Sequence, residues 1–264
     1  MLTLDNLYSV IDGYAPFEIS KKLICEGEYD NSGIIVNCHQ EVNKILFALD
    51  LSLETIAKAK SLKCDTLVTH HPAIYTPIKQ LSVCDTATAP ILLAIKQGLN
   101  VISLHLNLDF SEFGTDYYLA KACGATEIRV IDKRDYARGY GSEFTLENVK
   151  LGDFVKSLNA LLNTSKTLVY GNKNMQISKV ASFCGGGGND ALIAVRKGII
   201  DADVIVTSDL QHHLIKELVE SGKAVVIPTH YASENYGFYK FYEAMAKLLD
   251  PKAQTYYFDD KRFL

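Results

Sequence analysis

The chain has no two cysteines in a C-x-x-C arrangement, although it carries six: Cys25, Cys38, Cys64, Cys84, Cys123 and Cys184. That absence removes a thioredoxin-type motif and makes a thiolate zinc site a poor reading. Reduced thiols in a cytoplasm are the simplest account. There is no basic excess either: 27 Lys and Arg stand against 31 Asp and Glu, for a net charge of −4. A nucleic-acid platform normally shows the opposite balance, so nucleic acid is not an expected partner. No apolar run approaches the roughly 18 residues of a membrane span. Asp5, Asp12 and Glu18 interrupt the N-terminal apolar residues too early for a signal peptide. The expectation is a cytoplasmic protein with no membrane partner.

What is present is the ordinary material of a folded enzyme-sized chain. The 264 residues are 48% hydrophobic and 22% charged, enough for one large or two modest domains. Apolar residues at helical spacing run from Leu4 to Tyr14. Ile34 to Val36 and Lys44 to Leu49 read as strands, and Ser52 stands where a cap belongs before a helix over Leu53 to Lys60. Asp65 to Thr69 is a buried strand, which completes a strand–helix–strand unit with parallel strands. A helix over 87–97, a strand over 100–104 and a helix over 115–122 follow, then a short strand over 127–131 and the charged segment Asp132 to Arg138. The second half repeats the theme, ending with a long helix from about Ser233 to Leu249 and an edge strand at Thr255 to Phe258. An internal echo supports two related units: Asp65-Thr-Leu-Val-Thr-His-His matches Asp203-Val-Ile-Val-Thr-Ser-Asp, and His105-x-x-x-Asp109 matches His230-x-x-x-Glu234. The expected architecture is α/β: two similar domains, residues 1–125 and 126–264, with mixed, largely parallel sheets facing across a metal-binding cleft.

The chemistry gathers at predicted strand exits, where open α/β sheets place their ligands. His70 and His71 end one strand; His105, Asp109, His230 and Glu234 follow others. Neighbours in an extended segment point to opposite sides, so His70 and His71 can serve two positions, and Pro72 stiffens the loop behind them. Imidazoles with carboxylates suit zinc, iron, manganese or nickel, and a carboxylate can bridge two ions about 3.5–4 Å apart. A lone histidine is more often a locally bonded residue than a ligand; the convergence here reverses that weighting. His105 is a ligand, or a residue that orients a ligand or a bridging water. Asp209 and His213 open a helix and serve as cap and solvated face, or as acid–base or substrate contacts. His39 reads as a surface residue. Gly185 to Gly188 form either a tight left-handed turn or a backbone cradle for an anion before a helix. Neither a Walker loop nor G-x-G-x-x-G is present.

Thr69-His-His-Pro72 with Pro77-Ile-Lys79, His105-x-Asn-Leu-Asp109, Thr207-Ser-Asp-Leu-Gln-His-His213 and His230-Tyr-Ala-Ser-Glu234 resemble the NIF-three-like dinuclear metal-centre family. Tyr29-Asp-Asn-Ser-Gly33 is similar to that family's Trp-Asp-Asn-x-Gly signature. The resemblance implies two ions per chain held by His70, His71, Asp109, His230 and Glu234, with Asp109 or Glu234 as the bridge. It also implies a homohexamer and, from the family's usual naming as GTP cyclohydrolase 1 type 2 homologues, a hydrolase whose bridging water attacks a nucleotide substrate. A metal-binding scaffold or regulatory protein with little catalysis, and a phosphoesterase, are the competing readings. The chain departs from the pattern at Ser208 and Thr229, at Gly187, where Ser is usual, and around Gly139-Tyr140-Gly141-Ser142, where Gly-Arg-x-Gly is only partly kept.

Overall fold

Thr3 opens the fold in the computed structural model, which describes residues 1–264. Its Oγ1 accepts the Asn6 N–H at 3.2 Å, ending strand β1 (Leu2–Thr3) and capping helix α1 (Leu4–Asp12). Leu4, Leu7 and Ile11 form the buried stripe of that helix. Helix α2 (Phe17–Cys25) is an element the periodicity does not announce. Pro16 reads as a stop, and here it also stands at the cap of the next helix.

Strands β2 (Gly33–Val36), β3 (Glu41–Val42) and β4 (Lys44–Ala48) follow, with β3 pairing β1. Ser52 caps α3 (Leu53–Leu62) through the Thr55 N–H at 3.1 Å, as its position implies. Strand β5 (Thr66–Thr69), helix α4 (Ala89–Lys96), strand β6 (Asn100–Ser103) and the single turn α5 (Leu106–Asp109) complete this run.

In the second unit α6 (Thr115–Ala122) precedes a hairpin of β7 (Arg129–Arg134) and β8 (Ala137–Lys150). The charged segment expected near a boundary is therefore paired strand. Asp132, Lys133 and Asp135 lie on exposed positions, and Arg134 meets Asp132 at 2.6 Å. Helix α7 (Leu151–Leu162), strands β9 (Leu168–Tyr170) and β10 (Gln176–Ser182), and helix α8 (Gly188–Arg196) come next. Strand β11 (Val204–Val206), helix α9 (His212–Glu220), strand β12 (Ala224–Ile227), helix α10 (His230–Leu249) and strand β13 (Gln254–Phe258) finish the chain.

The chain forms two units, but the crossing is not the single one expected at 125/126. The first unit is Met1–Ser111 with Tyr239–Asp260, and the second is Glu112–Phe238 with Lys261–Leu264. The return of residues 239–260 has a plain cause: β13 is the parallel edge neighbour of β4, so the chain must come back to the first sheet.

The sheets repeat one another. In the first, ordered β13-β4-β5-β6-β2, strands β4, β5 and β6 are parallel and β2 is antiparallel beyond them. In the second, ordered β7-β8-β10-β11-β12-β9, strands β10, β11 and β12 are parallel and β9 is antiparallel beyond them. The aspartate that starts each echoed segment does the same job in both. Asp65 Oδ2 accepts the N–H groups of Asn43 (2.9 Å) and Lys44 (3.1 Å), and Asp203 Oδ2 those of Ser178 and Lys179 (both 2.9 Å).

Burial acts to raise the Asp203 carboxyl, but these N–H groups outweigh it and hold the group below its ordinary value. Stability from a depressed carboxyl is present above the unfolded value of about 3.9 and is lost as pH falls through the folded one. Asp203→Ala is thus expected to cost about 1–2 kcal/mol at neutral pH. In urea unfolding the gap to wild type should close as the solution is acidified through the folded value.

Candidate metal centre

In the first unit the β5 exit is held firmly. Thr69 Oγ1 donates to the His71 carbonyl (3.0 Å) and pairs with Ser103 Oγ (2.9 Å), while the His70 and His71 N–H groups both donate to the Leu49 carbonyl at 3.1 and 3.0 Å. The two imidazoles engage different carboxylates, as their adjacency predicts. His70 is fully buried with Nε2 3.5 Å from Asp109 Oδ1, and His71 Nδ1 lies 2.6 Å from Asp50 Oδ1. Their ring centres are 5.1 Å apart, and His105 stands beside them at 5.6 and 6.1 Å.

His105 Nδ1 lies 2.9 Å from Asp30 Oδ1. The other Asp30 oxygen accepts hydrogen bonds from Ser20 and, at 2.8 Å, from Ser32. Burial pushes this carboxyl up, but the hydrogen bonds from His105, Ser20 and Ser32 prevail and leave it below its ordinary value.

In the second unit His230 and Glu234 are one turn apart on α10, with Nε2 and Oε1 separated by 3.0 Å. His230 Nδ1 meets Asp209 Oδ2 at 2.5 Å. Asp209 holds that position with a left-handed backbone (φ 54°), a conformation aspartate tolerates better than most residues. The glycine turn packs against this pair. Gly185 is left-handed (φ +59°), and a Cβ there would sit 2.1 Å from Glu234 Oε1. Of the two expectations for the turn, the tight left-handed one accounts for it; the anionic group that approaches its backbone is the protein's own carboxylate.

A common logic runs through both units. His71, His105 and His230 each offer Nδ1 to an aspartate, which fixes the ring and leaves Nε2 as the donor for a metal. Two donors about 2.1 Å from one ion are separated by about 3.0 Å at a right angle and about 3.4 Å at the tetrahedral angle. The His230–Glu234 and His70–Asp109 separations, 3.0 and 3.5 Å, match donors aimed at a shared ion. The donor set therefore fits a divalent cation.

Among the candidate residues, His213 stays apart: it is exposed on α9, with Glu217 as its charged neighbour. Asp209 is neither a solvated cap nor a free base but the partner of His230. His39 is bonded rather than loose, its Nε2 lying 2.9 Å from the Gly98 carbonyl. Tyr75 stacks edge-on to Tyr29 and His105 at 5.4 and 6.0 Å. Asp50 escaped the sequence reading. Its position one residue beyond Leu49, at the exit of β4, was the available signal.

Imidazoles steered by carboxylates at the exits of parallel strands mark an α/β protein with a donor set that could hold a metal. The chain belongs to the Duf34/NIF3 (NGG1p interacting factor 3) family, whose model matches residues 2–259. It is 30% identical over 254 residues to a GTP cyclohydrolase 1 type 2 homolog of Methanocaldococcus jannaschii, covering 93% of this chain and 95% of that protein. A homolog of the same name from Clostridium perfringens is 27% identical, covering 94% and 93%. The fold matches that of a Bacillus cereus protein related to NIF3 with a TM-score of 0.84 at 18% identity, over 97% of this chain and 96% of the other. No helix is long and apolar enough to cross a membrane.

Proposed function

We propose that the protein is a metal-dependent hydrolase whose two divalent ions are held by His70, His71, Asp109, His230 and Glu234. The observation that carries the reading is the pair of donor separations within the units, 3.5 Å for His70–Asp109 and 3.0 Å for His230–Glu234. When bound, two such ions supply Lewis acidity and a water whose pKa falls toward ~7. Asp50 and Asp209 keep Nε2 of His71 and His230 directed outward by holding Nδ1. His105, backed by Asp30 and next to both strand-exit histidines, would orient a water or exchange a proton with substrate. The names of the relatives, GTP cyclohydrolase 1 type 2 homologs, point to GTP as the substrate.

Elemental analysis of the purified protein is expected to find two ions per chain, and His71→Ala to lower that number. A panel of nucleotides and phosphoesters then tests the reaction. Turnover of GTP supports the cyclohydrolase reading, and turnover of phosphoesters alone replaces it with a phosphoesterase. Full metal occupancy with no turnover on either panel would favour a metal-binding scaffold.

A further inference from the structure

We infer that Tyr140 is a positioning residue for the second unit's ligand pair, acting through the Cys184-Gly185 backbone. This inference rests on the metal-site reading above. The Tyr140 hydroxyl donates to the Cys184 carbonyl, and the Cys184 N–H donates to Asp116 Oδ1 at 3.3 Å, so both polar backbone groups of Cys184 are held. The next residue is the junction. Gly185 N–H donates to Ser233 Oγ (3.3 Å), and Gly185 C=O accepts the Ser208 N–H (3.0 Å). Ser233 immediately precedes Glu234, and Ser208 immediately precedes Asp209, the residue that steers His230. Ser233 Oγ also donates to the His230 carbonyl at 2.8 Å. One peptide segment thus touches the supports of both candidate ligands, and Tyr140 anchors it from β8.

The space for that anchor comes from the turn itself. A Cβ on Gly187 would lie 2.4 Å from the Tyr140 hydroxyl oxygen. Position 187 is a place where the chain departs from the family's pattern, and the missing side chain leaves room for the tyrosine. A serine at 187 could not coexist with the tyrosine hydroxyl where it now stands.

Tyr140→Phe removes only the hydroxyl. Chelator competition with zinc should show affinity weakened by about tenfold or more, the range seen when a group that orients a metal ligand is lost. With cobalt in place of zinc, the visible absorption bands should shift, while the unfolding midpoint of the metal-free protein stays near wild type. Ser233→Ala, which cuts the next link, should weaken zinc binding in the same direction. Unchanged affinity and unchanged cobalt spectrum in Tyr140→Phe would overturn the role. So would a loss of metal-free stability with affinity intact, which marks a merely structural hydroxyl. Wild-type protein that takes up no metal overturns the metal reading itself together with this role, whereas wild-type binding matched by Tyr140→Phe overturns this role alone.

Discussion

Gly185→Ala is expected to strip the second unit of its metal-binding capacity and to destabilise it by about 2–5 kcal/mol. Two costs add. A left-handed backbone costs a non-glycine residue about 1–2 kcal/mol, and forcing atoms into a filled space costs about 1–3 kcal/mol. The clash is with Glu234 Oε1, 2.1 Å from the position of the new Cβ. To restore ordinary contact the carboxylate must retreat by about 1.3 Å, well beyond the ~0.5 Å tolerance of a working ligand site. Because Glu234 is buried, it has little room for that retreat. Urea unfolding of the metal-free variant reads the first effect, and elemental analysis with chelator competition reads the second. A variant that binds zinc as tightly as wild type would show that Glu234 is not a ligand.

Much of this site was legible in the sequence because its parts obey local rules. The strand-exit histidines follow short continuous apolar runs, the mark of strands buried on both faces, and Leu67, Val68, Val225 and Val226 are indeed buried. The i,i+4 spacing of His230 and Glu234 needs only a helix to bring them together. The echo between Asp65 and Asp203 was also readable, and its structural basis is two carboxylates bonded to equivalent neighbouring strands.

What escaped depends on partners far along the chain. Asp30 finds His105, and Asp50 finds His71, only after strands have been placed side by side. No periodicity states that β13 will pair with β4 rather than remain with the second unit. Strand β8 was hidden differently: Gly139 and Gly141, both with positive φ, interrupt the alternation that would reveal it. These glycines are needed for close approach, Gly139 to the Asp132 carbonyl and Gly141 to Phe183. The packing that required the glycines therefore erased the pattern that would have announced the strand.

That same strand carries the second large expectation. Asp116→Ala should destabilise the protein by about 3–5 kcal/mol, because it leaves a buried guanidinium without its counter-charge. Arg138 Nη1 lies 2.9 Å from Asp116 Oδ2, with side-chain exposures of only 5% and 0%. Ser142 Oγ donates to the same carboxylate oxygen at 2.9 Å and accepts from Arg138 Nη2 at 2.7 Å. Burial holds the Asp116 carboxyl above its ordinary value, and Arg138, Ser142 and the Cys184 N–H oppose that push without cancelling it. Removing the carboxylate takes away all three attractions and the support of Cys184. The paired change Asp116→Leu with Arg138→Met should recover most of the lost stability, since neither buried charge then remains. It should not recover metal affinity, because the Cys184 N–H still lacks its acceptor. Urea midpoints for the single and double variants, set beside their zinc affinities, separate the two contributions. Recovery of both together would mean that Asp116 acts on the metal site only through overall stability.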